Sequence, residues 1–227
     1  MLCQRRYRHW LILIIGLVLL VGCTLNQPAG STTEAPIIID VRARYCELSS
    51  DGTYMAVGEE NVGGFTLYRL DTATAVAFPP RRGMSGVWID DTTWFEYASD
   101  KLVGTSYQPT DGWIVDLRLN TVTDILTLDP GQRQQTLDTV NALLGDPTRS
   151  EVAQISPNGL YEAQSSNIYA HTGPTNGQVK KQFHTSRSTS GCKFGWKADS
   201  SGFYFIEHGA ALRGNPPGPI RFLPVNP

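Results

Sequence analysis

One polar turn recurs along this chain, and its spacing limits the folds that the sequence can adopt. The clearest copy lies within residues 195–206, where Asp199, two serines and Gly202 separate two aromatic-rich segments. In such turns an Asp side chain bonds nearby backbone, and Gly accepts the positive φ that a tight reversal needs. A turn of this kind between apolar segments predicts two antiparallel strands.

Three further segments have the same form. Ser49–Gly52 reads Ser-Ser-Asp-Gly, Asp90–Asp91 holds the turn position without a Gly, and Ser156–Gly159 reads Ser-Pro-Asn-Gly. About 40 residues separate the first turn from the second, and about the same number separate the third from Asp199, which is the period of a repeated four-stranded unit. The gap in the middle is longer and needs its own explanation.

The extra length is explained by a predicted helix over residues 132–144. Asp129 suits the N-cap and Pro130 the first helical position, and Gly145 suits the end of the helix. One apolar stripe at helical spacing consists of Leu137, Val140 and Leu144. An inserted helix between the second and third turns therefore leaves the period of the strands intact.

The turn sequences resemble the Ser-Pro-Asp-Gly signature of WD-like β-propeller repeats in bacterial exported proteins. Ile155–Gly159 is the closest match, followed by residues 196–202. The resemblance implies that residues 37–227 form an all-β domain, a small or incomplete β-propeller of four to five blades. Four blades is the lower end for a closed ring, so a β-sandwich stays open as the alternative. Ile220 to Leu223 is expected to add a final strand that pairs with the strand at Ile37 to Val41.

Composition agrees with many short strands and argues against one class of partner. The 227 residues include 22 Gly and 14 Pro, and only 18% are charged. The formal net charge is −2, and residues 1–22 carry three of the 19 basic residues and none of the 21 acidic ones. The remaining chain is therefore more acidic still, which disfavours non-specific nucleic-acid binding.

The first 22 residues have the form of an export signal. Arg5, Arg6 and Arg8 precede an apolar run from Leu11 to Val21. That run is shorter than the roughly 20 residues of a membrane-spanning helix. Trp10 lengthens it by one residue, so an uncleaved anchor helix stays open.

Leu20–Cys23 resembles a bacterial lipobox. The resemblance implies that residues 1–22 are a lipoprotein signal peptide and that Cys23 is lipidated and becomes the first mature residue. Residues 23–36, which are poor in apolar side chains, then form a flexible tether. The expected location is lipid-anchored and extracytoplasmic, on the cell membrane or the outer membrane.

Two cysteines remain in the predicted body, Cys46 and Cys192. They occupy similar places, shortly before the turn acids Asp51 and Asp199. In a closed propeller the first and last blades are neighbours, and an exported compartment permits oxidation. We expect a Cys46–Cys192 disulfide, with two buried free thiols as the alternative.

No catalytic, metal or cofactor site is predicted. The three histidines of the body, at positions 171, 184 and 208, lack metal-ligand spacing. Paired carboxylates for glycoside hydrolysis would have to come from Asp90, Asp91, Asp111, Asp116 and Asp124, for which turn and strand-end roles are simpler. Four tryptophans suit either a stacked ligand or core packing: Trp88, Trp94, Trp113 and Trp196.

These observations favour a membrane-anchored exported lipoprotein that acts as a non-catalytic binding or scaffold module. Its ligand, a protein or a small molecule, is unknown, because propellers carry function in their loops rather than in the fold. Two alternatives are an extracytoplasmic carbohydrate-active hydrolase or lyase and a structural subunit of an envelope complex.

Overall fold

A computed structural model describes residues 35–60, 63–77, 85–97, 100–103, 106–146, 154–164, 167–170, 177–182, 189–207 and 217–225. The predicted signal, Cys23, the tether before residue 35 and the three histidines of the body lie outside these residues. The described strands are β1 (Ile37–Leu48), β2 (Tyr54–Glu59), β3 (Phe65–Arg69), β4 (Thr74–Ala77), β5 (Ser85–Trp88), β6 (Thr93–Tyr97), β7 (Asp100–Val103), β8 (Ser106–Pro109), β9 (Trp113–Asp116), β10 (Thr121–Asp124), β11 (Gln154–Ile155), β12 (Tyr161–Gln164), β13 (Asn167–Ala170), β14 (Val179–Gln182), β15 (Thr189–Trp196), β16 (Gly202–Glu207) and β17 (Gly218–Pro224). The helical elements are a 3-10 helix (Ile125–Thr127) and α1 (Pro130–Leu144).

The described strands form one seven-stranded sheet, two four-stranded sheets and one two-stranded sheet, so the all-β prediction is confirmed. We call β1–β4 repeat 1, the sheet of β5, β6, β9 and β10 repeat 2, the sheet of β11–β14 repeat 3, and β15–β17 repeat 4. Repeats 4 and 1 together make up the seven-stranded sheet, in the order β15-β16-β17-β1-β2-β3-β4. The hairpin β7–β8 is inserted within repeat 2. In each repeat the predicted polar turn joins the first strand to the second, because the turn residues permit an abrupt reversal there.

Strand β1 belongs to two repeats. Its first half pairs with β17, through Ile37↔Arg221 and Ile39↔Ile220, and its second half pairs with β2. The predicted pairing of the final strand with the first is therefore confirmed. A single parallel pair, Glu47↔Lys193, links β1 to β15, so β15, β16, β17 and β1 form a small closed circuit.

The aromatic run in β16 is explained by burial on both faces. Phe203 and Phe205 point into one core, and Tyr204 and Ile206 point into another. Because successive strand residues face opposite sides, a strand covered on both sides must be apolar throughout.

Three cores lie between neighbouring repeats. The core between repeats 4 and 1 includes Leu48, Met55, Tyr204 and Ile206, that between repeats 1 and 2 includes Leu67, Trp88 and Trp94, and that between repeats 3 and 4 includes Tyr161, Trp196 and Phe203. Each large side chain that is fully buried contributes about 1.5–3 kcal/mol. The described repeats therefore pack in the spatial order 3-4-1-2.

Helix α1 covers the remaining face of repeat 2. Val140 packs there with Val87, Phe95 and Ile125. The helix begins at Pro130, two residues before the predicted range 132–144 but at the residue predicted as its first helical position. Asp129 caps it, as predicted, and accepts hydrogen bonds from the first free backbone amides. Strand β10 ends at Asp124, and the 3-10 helix follows it directly.

A disulfide joins Cys46 to Cys192 across β1 and β15. Both residues are buried in the core between repeats 4 and 1. The bond closes a loop with a sequence separation of 146 residues. In the chain-entropy account, a crosslink that closes a loop of this length stabilises the folded state by about 4–5 kcal/mol.

Among the described residues, no helix combines the length and the hydrophobicity that crossing a membrane requires.

Gly86→Ala is expected to destabilise the body by about 1–3 kcal/mol. An added Cβ at Gly86 would lie 2.8 Å from Phe95 O and would overlap the Trp94 ring, which is fully buried. Urea unfolding followed by tryptophan fluorescence measures the change. Gly131→Ala in the first turn of α1 is the control and should be neutral or stabilising, and equal stability of both variants would contradict this packing.

Candidate binding face

Two of the four turns have the same hydrogen-bond network. In turn 1 (49–54), Ser49 Oγ donates to Asp51 Oδ1 at 2.6 Å and accepts from Tyr54 N at 3.0 Å. In turn 3 (156–161), Ser156 Oγ donates to Asn158 Oδ1 at 2.8 Å and accepts from Tyr161 N at 2.9 Å. The glycine of each turn has a positive φ, 72° for Gly52 and 71° for Gly159. The two turns are therefore structurally equivalent.

The other two turns vary the same design. In turn 4 (197–202), Ser200 takes the positive-φ position at 60°, and Asp199 Oδ1 accepts from Ser201 N at 2.9 Å. Turn 2 (89–93) is one residue shorter, and Asp90 accepts from Thr92 N at 2.8 Å and from Thr93 Oγ1 at 3.0 Å. The shorter turn has no residue at positive φ, which explains why its sequence lacks a Gly.

The four turns lie together at one end of the body. Asp91 accepts hydrogen bonds from the Ser50 hydroxyl and from Asp51 N, which joins turns 1 and 2. Asn158 N donates to Ser200 Oγ at 3.0 Å, which joins turns 3 and 4. A Cβ on Gly52 would lie 3.5 Å from Ala198 N, so turns 1 and 4 are also in contact. We call the surface formed by residues 49–54, 89–93, 156–161 and 197–202 the turn face.

The turn face is polar, acidic and exposed. Its exposed carboxylates outnumber its ammonium groups. The carboxylates are those of Asp51, Asp90, Asp91 and Asp199, and the ammonium group is that of Lys197. Lys197 Nζ lies 3.0 Å from Asp199 Oδ2. Excess negative charge at this end disfavours anionic polymers as ligands.

Hydrogen bonding holds three of these carboxylates in the ionised form. Bonds from the side chain and backbone of Ser201, with a further contribution from Lys197, lower the pKa of Asp199 to about 2. Partial burial acts to raise the pKa of Asp51, but bonds from Ser49 and Thr53 outweigh it, and the net pKa is lowered. Burial is outweighed in the same way at Asp90, whose pKa is lowered by Thr92 and Thr93. These acids stabilise the turns as charged acceptors.

A layer of stacked aromatic rings lies directly below the turns. The Tyr54 ring stacks on Trp88 with centroids 6.4 Å apart, and the Tyr161 ring stacks on Trp196 at 6.1 Å. Each tryptophan also meets a ring of the following strand edge-on, Trp94 at 5.3 Å and Phe203 at 5.2 Å. Trp88, Trp94 and Trp196 are all buried, so they support the turn face from within.

The other predicted carboxylates occupy turns and a helix cap. Asp116 accepts from Arg118 N at 2.9 Å, and Asp124 accepts from Leu126 N at 2.9 Å as the N-cap of the 3-10 helix. Each therefore satisfies backbone donors at the end of a strand. In the described part of the chain, no three His, Cys, Asp or Glu side chains are grouped to hold a metal ion.

Buried charges were missed by sequence reasoning. Glu47 is fully buried, accepts from the Tyr45 hydroxyl, and lies 3.7 Å from Lys193 Nζ. Glu207 is buried with Arg221, whose Nε donates to its Oε2 at 2.5 Å. For Glu207 and Arg221 the signal was a charged residue within an otherwise apolar strand, which is rare in a core unless the charge is paired. Glu47 gave no such signal, because β1 carries three other charged residues.

No family model matches the chain, and no curated protein matches it. Among solved structures, a chain described as "Crystal structure of the eukaryotic initiation factor" aligns at 10% sequence identity with a TM-score of 0.29. The alignment covers 82% of this chain and 42% of that one, so this chain spans less than half of its length. A likeness at this identity and score carries no argument about fold or function.

Stability is expected to fall in acid because the folded state lowers the pKa of turn-face carboxylates. For Asp199 the loss begins near the unfolded pKa, about 3.9, and continues as pH falls through the folded value, which is about 2. Asp199→Asn should therefore lower the melting temperature at pH 7. It should also make the melting temperature decrease less as the pH falls through this range.

Thermal melts from pH 2 to pH 7 test this expectation, with Asp40→Asn, an exposed acid outside the turn face, as the matched control. An Asp199→Asn variant with the acid slope of the unmodified chain would contradict the assigned hydrogen bonds.

Proposed function

We propose that this chain is a membrane-anchored exported lipoprotein whose propeller-like body binds a partner at the turn face without catalysis. The observation that carries the proposal is the contact of each turn with the next, in the order 3-4-1-2. Turns that converge around one end of a set of repeats create a composite surface, which is where repeated β architectures carry binding function.

A propeller-like arrangement is supported by an equivalent hydrogen bond in three repeats. The residue after the third strand donates to a turn residue of its own repeat, as Leu70 N to Thr53 O at 3.0 Å, Leu117 N to Thr92 O at 2.9 Å and Val225 N to Ser201 O at 2.8 Å. Separate cores between repeats 1 and 2 and between repeats 3 and 4 also favour a ring-like set of blades, because a β-sandwich has one core between two sheets. In the proposed arrangement β1 joins the last blade to the first.

The turn face lies at the end of the body opposite the start of β1. The chain enters the body at Ala35 and Pro36, where Arg221 Nη1 donates to Ala35 O at 2.5 Å and Phe222 N to Pro36 O at 3.1 Å. β1 then runs 12 residues to Leu48, directly before turn 1. At about 3.3 Å per residue, the two ends are on the order of 35 Å apart.

A binding role suits the chemistry of the turn face better than a hydrolytic one. Its carboxylates accept bonds from backbone amides and hydroxyls of the turns, which keeps them ionised. Glycoside hydrolysis needs one carboxyl group with a raised pKa as a proton donor, whereas the shifts at Asp51, Asp90 and Asp199 are all downward.

One observation favours the structural-subunit alternative. Leu119, Val122 and Leu126 are exposed at 69%, 49% and 55% along the outer edge of repeat 2. An apolar strand edge of this kind suits packing against another subunit.

A photo-reactive phenylalanine analogue in place of Ala198 distinguishes these roles in membranes of the producing cells. Ala198 is exposed on the turn face, so the full-length protein should crosslink to its partner from that position. The same analogue at Asp40, near the start of β1, is the control and should give no such product. Crosslinks from Leu126 alone would support the structural subunit instead and would contradict binding at the turn face.

Cys23→Ala should abolish incorporation of labelled fatty acid and release the protein from the membrane or leave its signal uncut. The reason is that two or three acyl chains on one residue are required for stable anchoring. Cys3→Ala, upstream in the same signal, is the matched control and should change neither readout. Normal processing and membrane attachment of the Cys23→Ala variant would refute the anchor.

A further inference from the structure

Among the described strands, the contact of β15 with β1 is the only parallel one. We call Cys46, Glu47 and residues 192–195 the junction. Its strands share a single parallel pair, Glu47↔Lys193, whereas the surrounding strands are joined by antiparallel ladders. The Cys46–Cys192 disulfide lies directly beside that pair. The disulfide thus links two strands that are joined by only one backbone pair.

Closing the junction buries charge. The Glu47 side chain is fully buried and Lys193 is 16% exposed, with 3.7 Å between Nζ and Oε2. The Tyr45 hydroxyl also donates to the Glu47 carboxylate. Removing a carboxylate and an ammonium from water has a desolvation cost, and this cost opposes closing of the junction.

Closing the junction also strains β15. Phe194 has φ of 54°, a left-handed conformation that is costly for a bulky residue. The ladder to β16 is interrupted between Gly191 and Trp196. Within this gap an added Cβ on Gly195 would lie 2.8 Å from both Cys192 O and Tyr204 O. The bend of β15 that brings Cys192 to Cys46 therefore includes unfavourable backbone conformations.

We propose that this disulfide is a redox latch: oxidised, it holds the junction closed, and reduced, it lets the junction open while the antiparallel sheets stay folded. Strain at Phe194 and the buried Glu47–Lys193 pair both favour the open form. The disulfide opposes them, because the closed junction is the geometry in which the two sulfur atoms meet. The ladders of β1 with β2 and of β16 with β17 do not depend on the bond.

The co-reactant of the latch is a dithiol. One of its thiolates attacks a sulfur of the disulfide, the bond between Cys46 and Cys192 breaks, and a mixed disulfide forms. The second thiol of the reductant then displaces the protein sulfur, so the reductant leaves as a disulfide and both cysteines become protonated thiols. Because Cys46 and Cys192 are 2% and 0% exposed, the first attack requires prior opening of the junction.

Hydrogen exchange by mass spectrometry tests the latch on the full-length chain in detergent, with and without dithiothreitol. Reduction should speed exchange at least about tenfold in peptides covering residues 189–196, since a local opening is no longer opposed by the crosslink. Peptides covering residues 113–124, in repeat 2, should be unchanged and serve as the internal control. Unchanged exchange at 189–196, or faster exchange in both peptides, would overturn the proposal.

Variants test the assigned cause of opening. Cys46→Ala with Cys192→Ala should reproduce the reduced pattern. Adding Glu47→Gln together with Lys193→Met should slow exchange at 189–196 again, because no charge is buried, whereas adding Lys193→Met alone should speed it. Equal exchange in all three would overturn the role of the buried pair, and reduction of the unmodified chain keeps the test valid if a variant does not fold. The use of the latch in cells rests on the proposed export, but these measurements do not.

Discussion

A tight reversal between two strands leaves backbone amides that only a short polar side chain can reach, and this body meets that need in each repeat. Ser49 and Asp51 satisfy turn 1, and Ser156 and Asn158 satisfy turn 3 with the same geometry. Because these acceptors are short, the chain reverses at a defined residue and the following strand starts in a fixed register. The positions of the repeats therefore depend on a few hydrogen bonds.

The register set by the turns also explains the cores below them. Tyr54 and Tyr161 follow their turns directly, and each ring stacks on a tryptophan of the next repeat. Apolar residues on both faces of a strand then contact two different repeats, as in β16. The polar turn face and the layer of aromatic rings below it thus both result from the register that the turns set.

Three of the four charged residues that are buried in the described body, Glu47, Glu207 and Arg221, lie where repeats 4 and 1 share β1, and the fourth, Glu96, lies on β6. Arg221 on β17 binds Glu207 and also Ala35 O, which fixes the start of β1 against the last strand. Glu47 lies at the other end of β1, beside the disulfide, and pairs with Lys193 of β15. A paired buried charge contributes little stability on balance, but it disfavours alternative registers that would separate the partners.

Local features were predictable from the sequence, and long-range ones mostly were not. The four turns and helix α1 follow from short-range signals, such as Asp129 before Pro130, because capping and turn chemistry depend on neighbours in the chain. The pairing of Ile220 to Leu223 with β1 was also predicted. Two other features depend on residues far apart in sequence, for which one sequence offers no local signal. They are the packing of Val140 against repeat 2 and the pairing of Glu47 with Lys193.

A double-mutant cycle on Ser50 and Asp91 measures whether the turns of successive repeats are in contact. These residues are 41 positions apart and bonded through the Ser50 hydroxyl. Urea unfolding of Ser50→Ala, Asp91→Asn and the double variant should give a coupling free energy of at least about 0.5 kcal/mol. The parallel cycle of Ser50→Ala with Asp124→Asn should give none. Zero coupling in the first cycle would contradict the contact between turns 1 and 2.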